Sequence, residues 1–184
     1  MERRRALEAE PLSLQISALQ GFEFYLAGRN DEAIEALRKT IQMNAGLMDA
    51  HYYLGLVYEQ KGMLPKAIGE LRQAVSLSGD APRYVSALGH AYAISGQMRM
   101  AQESLALLQE QAKQRYVSVS YDIAVIYAGL TDEDQTFRYL EMAYQDRSFW
   151  MCWLCLSLNT DELLPTINIV GRAGKGCVHH DVYG

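Results

Sequence analysis

The stretch AHYYLGLVYEQKGMLPKAIGELRQAVSL, residues 50–77, decides the fold of this 184-residue chain. Its first half stops at Gly62, and Pro65 follows where the first turn of a second helix is expected, a position at which a missing N–H costs nothing. Beyond Pro65, apolar residues recur at steps of three and four, the pattern of an amphipathic helix. The stretch therefore predicts two helices joined by a tight turn at Gly62, where glycine suits a positive φ.

The same pattern returns at a spacing of 34 residues along the chain. Five series of residues share this spacing: Gly21, Gly55 and Gly89; Phe24, Tyr58 and Tyr92; Gly28, Gly62 and Gly96; Ala33, Ala67 and Ala101; Leu37, Leu71 and Leu105. A fourth copy follows after 35 residues, and its matching positions are Ala124, Tyr127, Thr136, Leu140 and Ala143. A supersecondary unit repeated at this period predicts a helical solenoid, in which small residues let the two helices of a unit approach closely.

The most regular unit carries the residues of a known repeat signature: Leu54-Gly55, Tyr58, Ala67, Leu71 and Ala74. This pattern resembles the tetratricopeptide repeat (TPR), over about residues 12–144, and departs from it at Gln20, Thr40, Leu108 and Thr136. The units are also similar to C-terminal TPR arrays of bacterial multidomain proteins, so a free-standing or fragmentary array is expected. The resemblance implies an all-α, right-handed superhelical solenoid of about four helix-turn-helix units plus a C-terminal capping segment.

The expected organisation follows the period. Residues 1–11 are an N-terminal extension, and the array occupies residues 12–146, with units at about 12–46, 47–80, 81–114 and 116–146. Residues 147–165 hold a dense apolar segment that is expected to cap the open face of the last unit. The alternative is self-association, giving a homo-oligomer, through Phe149, Trp150, Trp153 and Leu154. Residues 166–184 are glycine-rich without a helical period, which predicts an irregular or mobile tail.

Composition excludes several classes of function. The formal net charge of −5 and the pI near 5.4 argue against nucleic acid as the main partner, because phosphate binding needs a cationic surface. No stretch reaches the ~20 apolar residues that span a bilayer. The three cysteines give no disulfide framework, and no secretory signal is recognised, so a reducing cytoplasm is the expected location, and the resemblance to bacterial TPR arrays implies a bacterial one.

The TPR resemblance implies a binding groove, because the first helices of TPR units line the concave face of the solenoid. The outward positions on these helices are Phe22, Tyr25, Asp49, Tyr52, Tyr53, Leu56, Glu59, Arg83, Ser86, His90, Tyr121 and Asp122. Tyrosine-rich surfaces are typical of interface hot spots, so the sequence predicts a scaffold that binds a peptide or partner protein. For each residue the alternative is packing between units. A clamp for a chaperone's carboxylate is excluded, since among the matching positions only Arg83 is cationic.

A catalytic or metal-binding role is the least favoured hypothesis. Cys152 and Cys155 form a C-x-x-C inside the apolar segment, with no strand pattern around them, and are interpreted as buried cysteines. A zinc site that adds Cys177 with His179 or His180 would have loose spacing. His51 and His90 are placed at packing or groove positions, and no nucleophile elbow, metalloprotease, P-loop or dinucleotide motif is present. No cofactor is expected, and a thiol- or metal-dependent hydrolase remains an alternative.

Overall fold

A computed structural model describes residues 11–114 and 118–146 of the chain. These residues form eight helices and no strand. The helices are α1 (Pro11–Leu26), α2 (Asn30–Met43), α3 (Met48–Gln60), α4 (Leu64–Ser78), α5 (Pro82–Ile94), α6 (Met98–Gln114), α7 (Ser120–Gly129) and α8 (Glu133–Gln145). Each odd-numbered helix packs against the helix that follows it, so the described chain is a series of four helix pairs.

The turn inside each pair repeats one backbone geometry. In the second pair, Gly62 has a φ of 69°, and Met63 donates its N–H to the carbonyl of Tyr58 at 2.8 Å. This is a left-handed helix cap, which satisfies carbonyls that the helix end leaves without a partner. The expected positive φ at Gly62 is confirmed, and Gly28 and Gly96 repeat it. Thr131 takes this place in the fourth pair with a φ of 58°, a strained conformation for a residue with a β-branched side chain.

In the first two pairs, a glycine of the first helix packs against a leucine of the second. Leu71 is fully buried, and a Cβ added at Gly55 would lie 2.6 Å from its Cγ. Leu37 meets Gly21 in the same way in the first pair. The period of 34 therefore records a repeated contact between helices, as expected for packing positions.

Two departures from the TPR pattern are buried hydroxyl groups. Thr40 and Thr136 are each almost fully buried, where an alanine or other small residue is usual. Thr40 donates its hydroxyl to the carbonyl of Ala36 at 3.0 Å, and Thr136 donates to that of Asp132 at 2.7 Å. Because each hydroxyl finds a carbonyl one turn earlier in its own helix, its burial leaves no polar group unsatisfied.

The helices form an inner and an outer layer. The inner layer consists of α1, α3, α5 and α7, which contact one another in sequence, whereas comparable contacts do not join successive members of the outer layer α2, α4, α6 and α8. A row of helices that lie closer together forms the concave side of a curved array. None of the described helices is long and apolar enough to cross a membrane.

The closest approach between inner helices joins α5 to α7. A Cβ added at Gly89 would lie 2.5 Å from the Cδ1 atom of Ile126, and one added at Gly129 would lie 2.8 Å from the Cδ2 atom of His90. Glycines on both helices thus allow the third and fourth pairs to pack with little space between their backbones. This contact fixes where the last inner helix presents its side chains.

Candidate functional site

All twelve residues predicted to line the groove lie on the inner helices. Tyr25, Tyr53, Ser86 and Asp122 are buried and therefore support the layer from within. The other eight are half-buried, and they define the surface called here the inner face: Phe22, Asp49, Tyr52, Leu56, Glu59, Arg83, His90 and Tyr121. The packing alternative thus applies to four of the predicted residues, and the other eight keep part of their surface accessible.

Aromatic rings form a continuous row across the first three inner helices. Phe22 on α1 stacks on Tyr53 on α3, with ring centroids 4.5 Å apart and planes inclined by 23°. Tyr53 contacts Tyr52 at 5.4 Å, and Tyr52 meets Tyr84 on α5 edge-on at 5.4 Å. Such aromatic pairs contribute about 0.5–1.5 kcal/mol each beyond their burial. Tyr84 is buried and was not predicted from the sequence, which offers no signal that its ring meets Tyr52.

Arg83 lies over this aromatic row. Its guanidinium carbon is 4.4 Å from the centroid of the Tyr52 ring, within the range of a cation–π interaction. Its Nη2 atom lies 3.5 Å from the Tyr53 hydroxyl, and its Nη1 atom lies 3.9 Å from Asp49 Oδ1. The Tyr84 hydroxyl donates to the same Asp49 oxygen at 2.9 Å. These contacts hold the Arg83 guanidinium and the Asp49 carboxylate against the tyrosine rings of the inner layer.

Asp122 is a buried carboxyl group at the contact between α5 and α7. Ser86 Oγ lies 3.1 Å from Asp122 Oδ1 and 2.9 Å from the carbonyl oxygen of Arg83. A serine hydroxyl has one proton, so an ionised Asp122 competes for it with that carbonyl. A protonated Asp122 can donate to Ser86 Oγ, which leaves the serine proton for the carbonyl. Burial raises the pKa of Asp122 to about 6, because a carboxylate removed from water is harder to ionise. The hydrogen bond from Ser86 and the charge of Arg83 lower this pKa and offset part of the effect.

We expect Asp122→Asn to stabilise the protein near neutral pH, by about 2 kcal/mol. Since the pKa of Asp122 is raised from 3.8 to about 6 on folding, protonation favours the folded chain. This contribution is present in full below about pH 4 and is lost as the pH rises through about 6. Urea unfolding of both proteins between these pH values should show the advantage of the variant shrinking on acidification. A constant difference across the range would contradict the assignment, and Glu141→Gln, on the exposed surface of α8, is the control.

The second polar contact of the inner layer joins α3 to α5. His90 Nδ1 and Glu59 Oε1 are 3.0 Å apart, and both side chains are largely buried. The other carboxylate oxygen, Glu59 Oε2, is buried and has no hydrogen-bond partner among the residues that the structure describes. Burial raises the pKa of Tyr25, and the charge of Glu59 raises it further, so the phenol stays neutral. The inner layer therefore contains a carboxylate with unused capacity to accept a hydrogen bond.

Comparison with known proteins agrees with the arrangement of paired helices described above. The family model described as "TPR repeat" matches residues 21–62, which run from the second half of α1 to the turn after α3. The chain carries tetratricopeptide repeats. Its fold is similar to that in "Crystal structure of MamA", with a TM-score of 0.51 and 20% identity over 78% of this chain and 84% of that chain. No curated protein matches the chain. The described part of the chain is thus an all-α TPR solenoid, as the sequence predicts.

Within the TPR array, His51 lies away from the inner face and has a structural environment. His51 Nδ1 is 2.7 Å from Glu70 Oε2, and His51 Nε2 is 3.1 Å from the carbonyl oxygen of Ala45. The hydrogen bond with Glu70 raises the pKa of His51, partly offset by burial. These contacts connect α3 to α4 and to the loop before α3. Across residues 11–114 and 118–146, no group of three or more His, Cys, Asp or Glu side chains is placed to hold a metal ion.

The TPR array also has a cleft that sequence analysis did not identify. It measures about 640 Å³ and lies between α6, the start of α7 and α8, away from the aromatic row. Ser118 and Ser120 donate their hydroxyls to Asp146 Oδ2 at 2.8 and 3.2 Å on its rim. Ile123 and Tyr139 supply apolar lining. The repeat pattern gives no sign of this cleft, because serine, aspartate and tyrosine at these positions are specific to the last pair.

Several sequence hypotheses fall outside the described residues. These include the expected cap over residues 147–165, the tail over residues 166–184 and most of the N-terminal extension. The same holds for the predicted self-association and thiol or zinc residues, which are Phe149, Trp150, Cys152, Trp153, Leu154, Cys155, Cys177, His179 and His180. Self-association through the apolar segment and zinc or thiol chemistry in this region stay predictions.

Proposed function

We propose that the inner face of the TPR array binds a peptide or an extended segment of a partner protein. The observation that carries this proposal is the aromatic row from Phe22 through Tyr53 and Tyr52 to Tyr84, on which Arg83 is stacked. Rigid rings offer large contact area at small entropic cost, and half-buried polar atoms beside them can orient a backbone. TPR folds support a protein-interaction role in general, and the inner face specifies where the contact would occur.

The shape of the surface favours a chain-like ligand over a small molecule. The inner face extends over four successive helices, whereas a small-molecule site concentrates its contacts in one enclosed cavity. An extended peptide or an amphipathic helix can contact Phe22, Tyr52 and Tyr121, which come from three different units, at the same time. TPR arrays typically act as scaffolds rather than catalysts, and the proposal assigns no catalytic role to the chain.

We expect Tyr52→Ala to weaken peptide binding at least about tenfold, because truncating a central aromatic residue typically costs 2 kcal/mol or more at an interface. Tyr52 contacts Tyr53, Tyr84 and Arg83, so its ring supports both the aromatic row and the cation above it. Peptides selected from a displayed random library against the unmodified protein would be synthesised with a fluorophore. Their affinities for both proteins would then be compared by fluorescence anisotropy.

Tyr144→Ala is the matched control for this experiment. Tyr144 lies on α8 in the outer layer and is 64% exposed. Its replacement removes the same phenol ring as Tyr52→Ala but leaves the inner face unchanged. Circular dichroism would verify that both variants keep their helices. Equal affinities of Tyr52→Ala and the unmodified protein, or failure to select any peptide, would refute the proposed binding face.

A further inference from the structure

Charge is distributed unequally between the two helix layers. The inner helices carry one basic residue, Arg83, and four acidic residues, Glu23, Asp49, Glu59 and Asp122. The outer helices are nearly balanced, with nine acidic and seven basic residues. Two of the four inner acids, Asp49 and Glu59, belong to the inner face, a third, Asp122, is buried within the layer, and Glu23 is exposed. Four acids against one base give the inner helices a net charge of −3, whereas nine acids against seven bases give the outer helices −2.

Two of these inner carboxylates lack a permanent cation at contact distance among the described residues. Asp49 lies 3.9 Å from Arg83, whereas Glu59 contacts His90 and Asp122 contacts Ser86. A histidine is charged only when protonated, and a serine hydroxyl is neutral. In a partly buried setting such charges act over longer distances than they do in water. A cation brought to this surface would therefore be attracted by both carboxylates.

The chain itself shows how a cation fits this surface. The Arg83 guanidinium lies 4.4, 5.6 and 5.9 Å from the ring centroids of Tyr52, Tyr53 and Tyr84. Tyrosine rings attract cations through the negative potential of their faces. Tyr121, on the next inner helix, is half-buried and directly precedes the buried Asp122. Aromatic and acidic residues thus continue onto α7, a helix that carries no lysine or arginine.

We infer that the partner segment is basic, and that a lysine or arginine side chain of the peptide lies at the inner face beside Glu59. There it pairs with the carboxylate of Glu59, whose side chain keeps 17% of its surface exposed. The buried charge of Asp122 adds longer-range attraction. This inference rests on the proposed peptide-binding function and specifies its ligand as a cationic peptide.

Three sets of short fluorescent peptides test the inference. All share the same leucine and tyrosine anchors, and their variable positions hold lysine, glutamine or glutamate. At low ionic strength we expect the unmodified protein to bind the lysine set about tenfold more tightly than the glutamate set, with the difference shrinking as salt is added. Glu59→Gln and Asp122→Asn, which preserve side-chain shape, should each reduce that preference several-fold. Glu35→Gln on α2 changes the net charge equally on the exposed outer layer and should leave the preference unchanged.

The outcomes separate this inference from the function on which it rests. If the glutamate set binds as well as the lysine set, and Tyr52→Ala still weakens that binding, the partner is not basic but the inner face binds peptides. If the preference for lysine survives in both Glu59→Gln and Asp122→Asn, the cation lies elsewhere and the assignment is overturned. Binding of no set overturns both the proposed function and the inference.

Discussion

Leu71→Ala is expected to lower the free energy of unfolding by about 3 kcal/mol, the usual cost of truncating a fully buried leucine. Leu71 has no exposed surface, and its side chain fills the space above Gly55. The loss combines apolar area returned to water with the cavity that rigid neighbouring helices cannot close. Urea denaturation followed by far-UV circular dichroism measures the change.

Leu77→Ala on the same helix is the control, because Leu77 is 42% exposed and its truncation opens no cavity. A second variant examines the contact itself. A Cβ at Gly55 would lie 2.6 Å from Leu71 Cγ, so Gly55→Ala should be harmful in the unmodified chain and much less so in the Leu71→Ala background. Equal costs for Leu71→Ala and Leu77→Ala would contradict the packing described here.

Gly89→Ala is expected to destabilise the protein by about 1–3 kcal/mol, the range for overpacking a tight contact. The added Cβ would lie 2.5 Å from Ile126 Cδ1 and 2.9 Å from Ser104 Cβ, so both α6 and α7 would have to move. The change therefore acts on the junction between the third and fourth pairs as well as inside the third.

Gly69→Ala is expected to change the free energy of unfolding in the opposite direction when both variants are measured by urea denaturation. Gly69 is an exposed position in α4, and a Cβ there meets no atom within 4 Å. Alanine has the higher helix propensity, so this variant should gain roughly 0.5–1 kcal/mol. If the two glycine variants shift stability in the same direction, close helix approach is not what requires glycine at position 89.

The repeated contacts of the fold could be predicted from the sequence because the same residue types make them in more than one unit. Gly62 with its positive φ and Leu71 against Gly55 are examples. The period could not predict Thr131 in a left-handed conformation, since the fourth unit is one residue out of step and its turn lacks glycine. The repeated sequence pattern thus predicts the turns and helix contacts that the units share. A departure such as Thr131 depends on the packing of its own unit.

The candidate site was predicted less completely, for a physical reason. The register of the inner helices identifies which residues face one side, but their burial depends on the distance between neighbouring helices. Tyr52 and Tyr53 are adjacent and both tyrosine, yet Tyr53 is buried beneath Phe22 whereas Tyr52 is half-buried. The sharing of one serine proton between Asp122 and the Arg83 carbonyl depends on the close approach of α5 and α7, which the repeat pattern does not encode.

The layered arrangement, in which each inner helix contacts mainly its nearest neighbours, has a mechanical consequence. An array of this kind can lose its end unit without disrupting the other units, because the contacts among the eight described helices join only neighbouring pairs. A ligand bound across several inner helices would connect repeat units that otherwise contact only their neighbours in the chain. Its dissociation free energy would then add to the resistance of the whole array against fraying and proteolysis, so occupancy would set the lifetime of the scaffold.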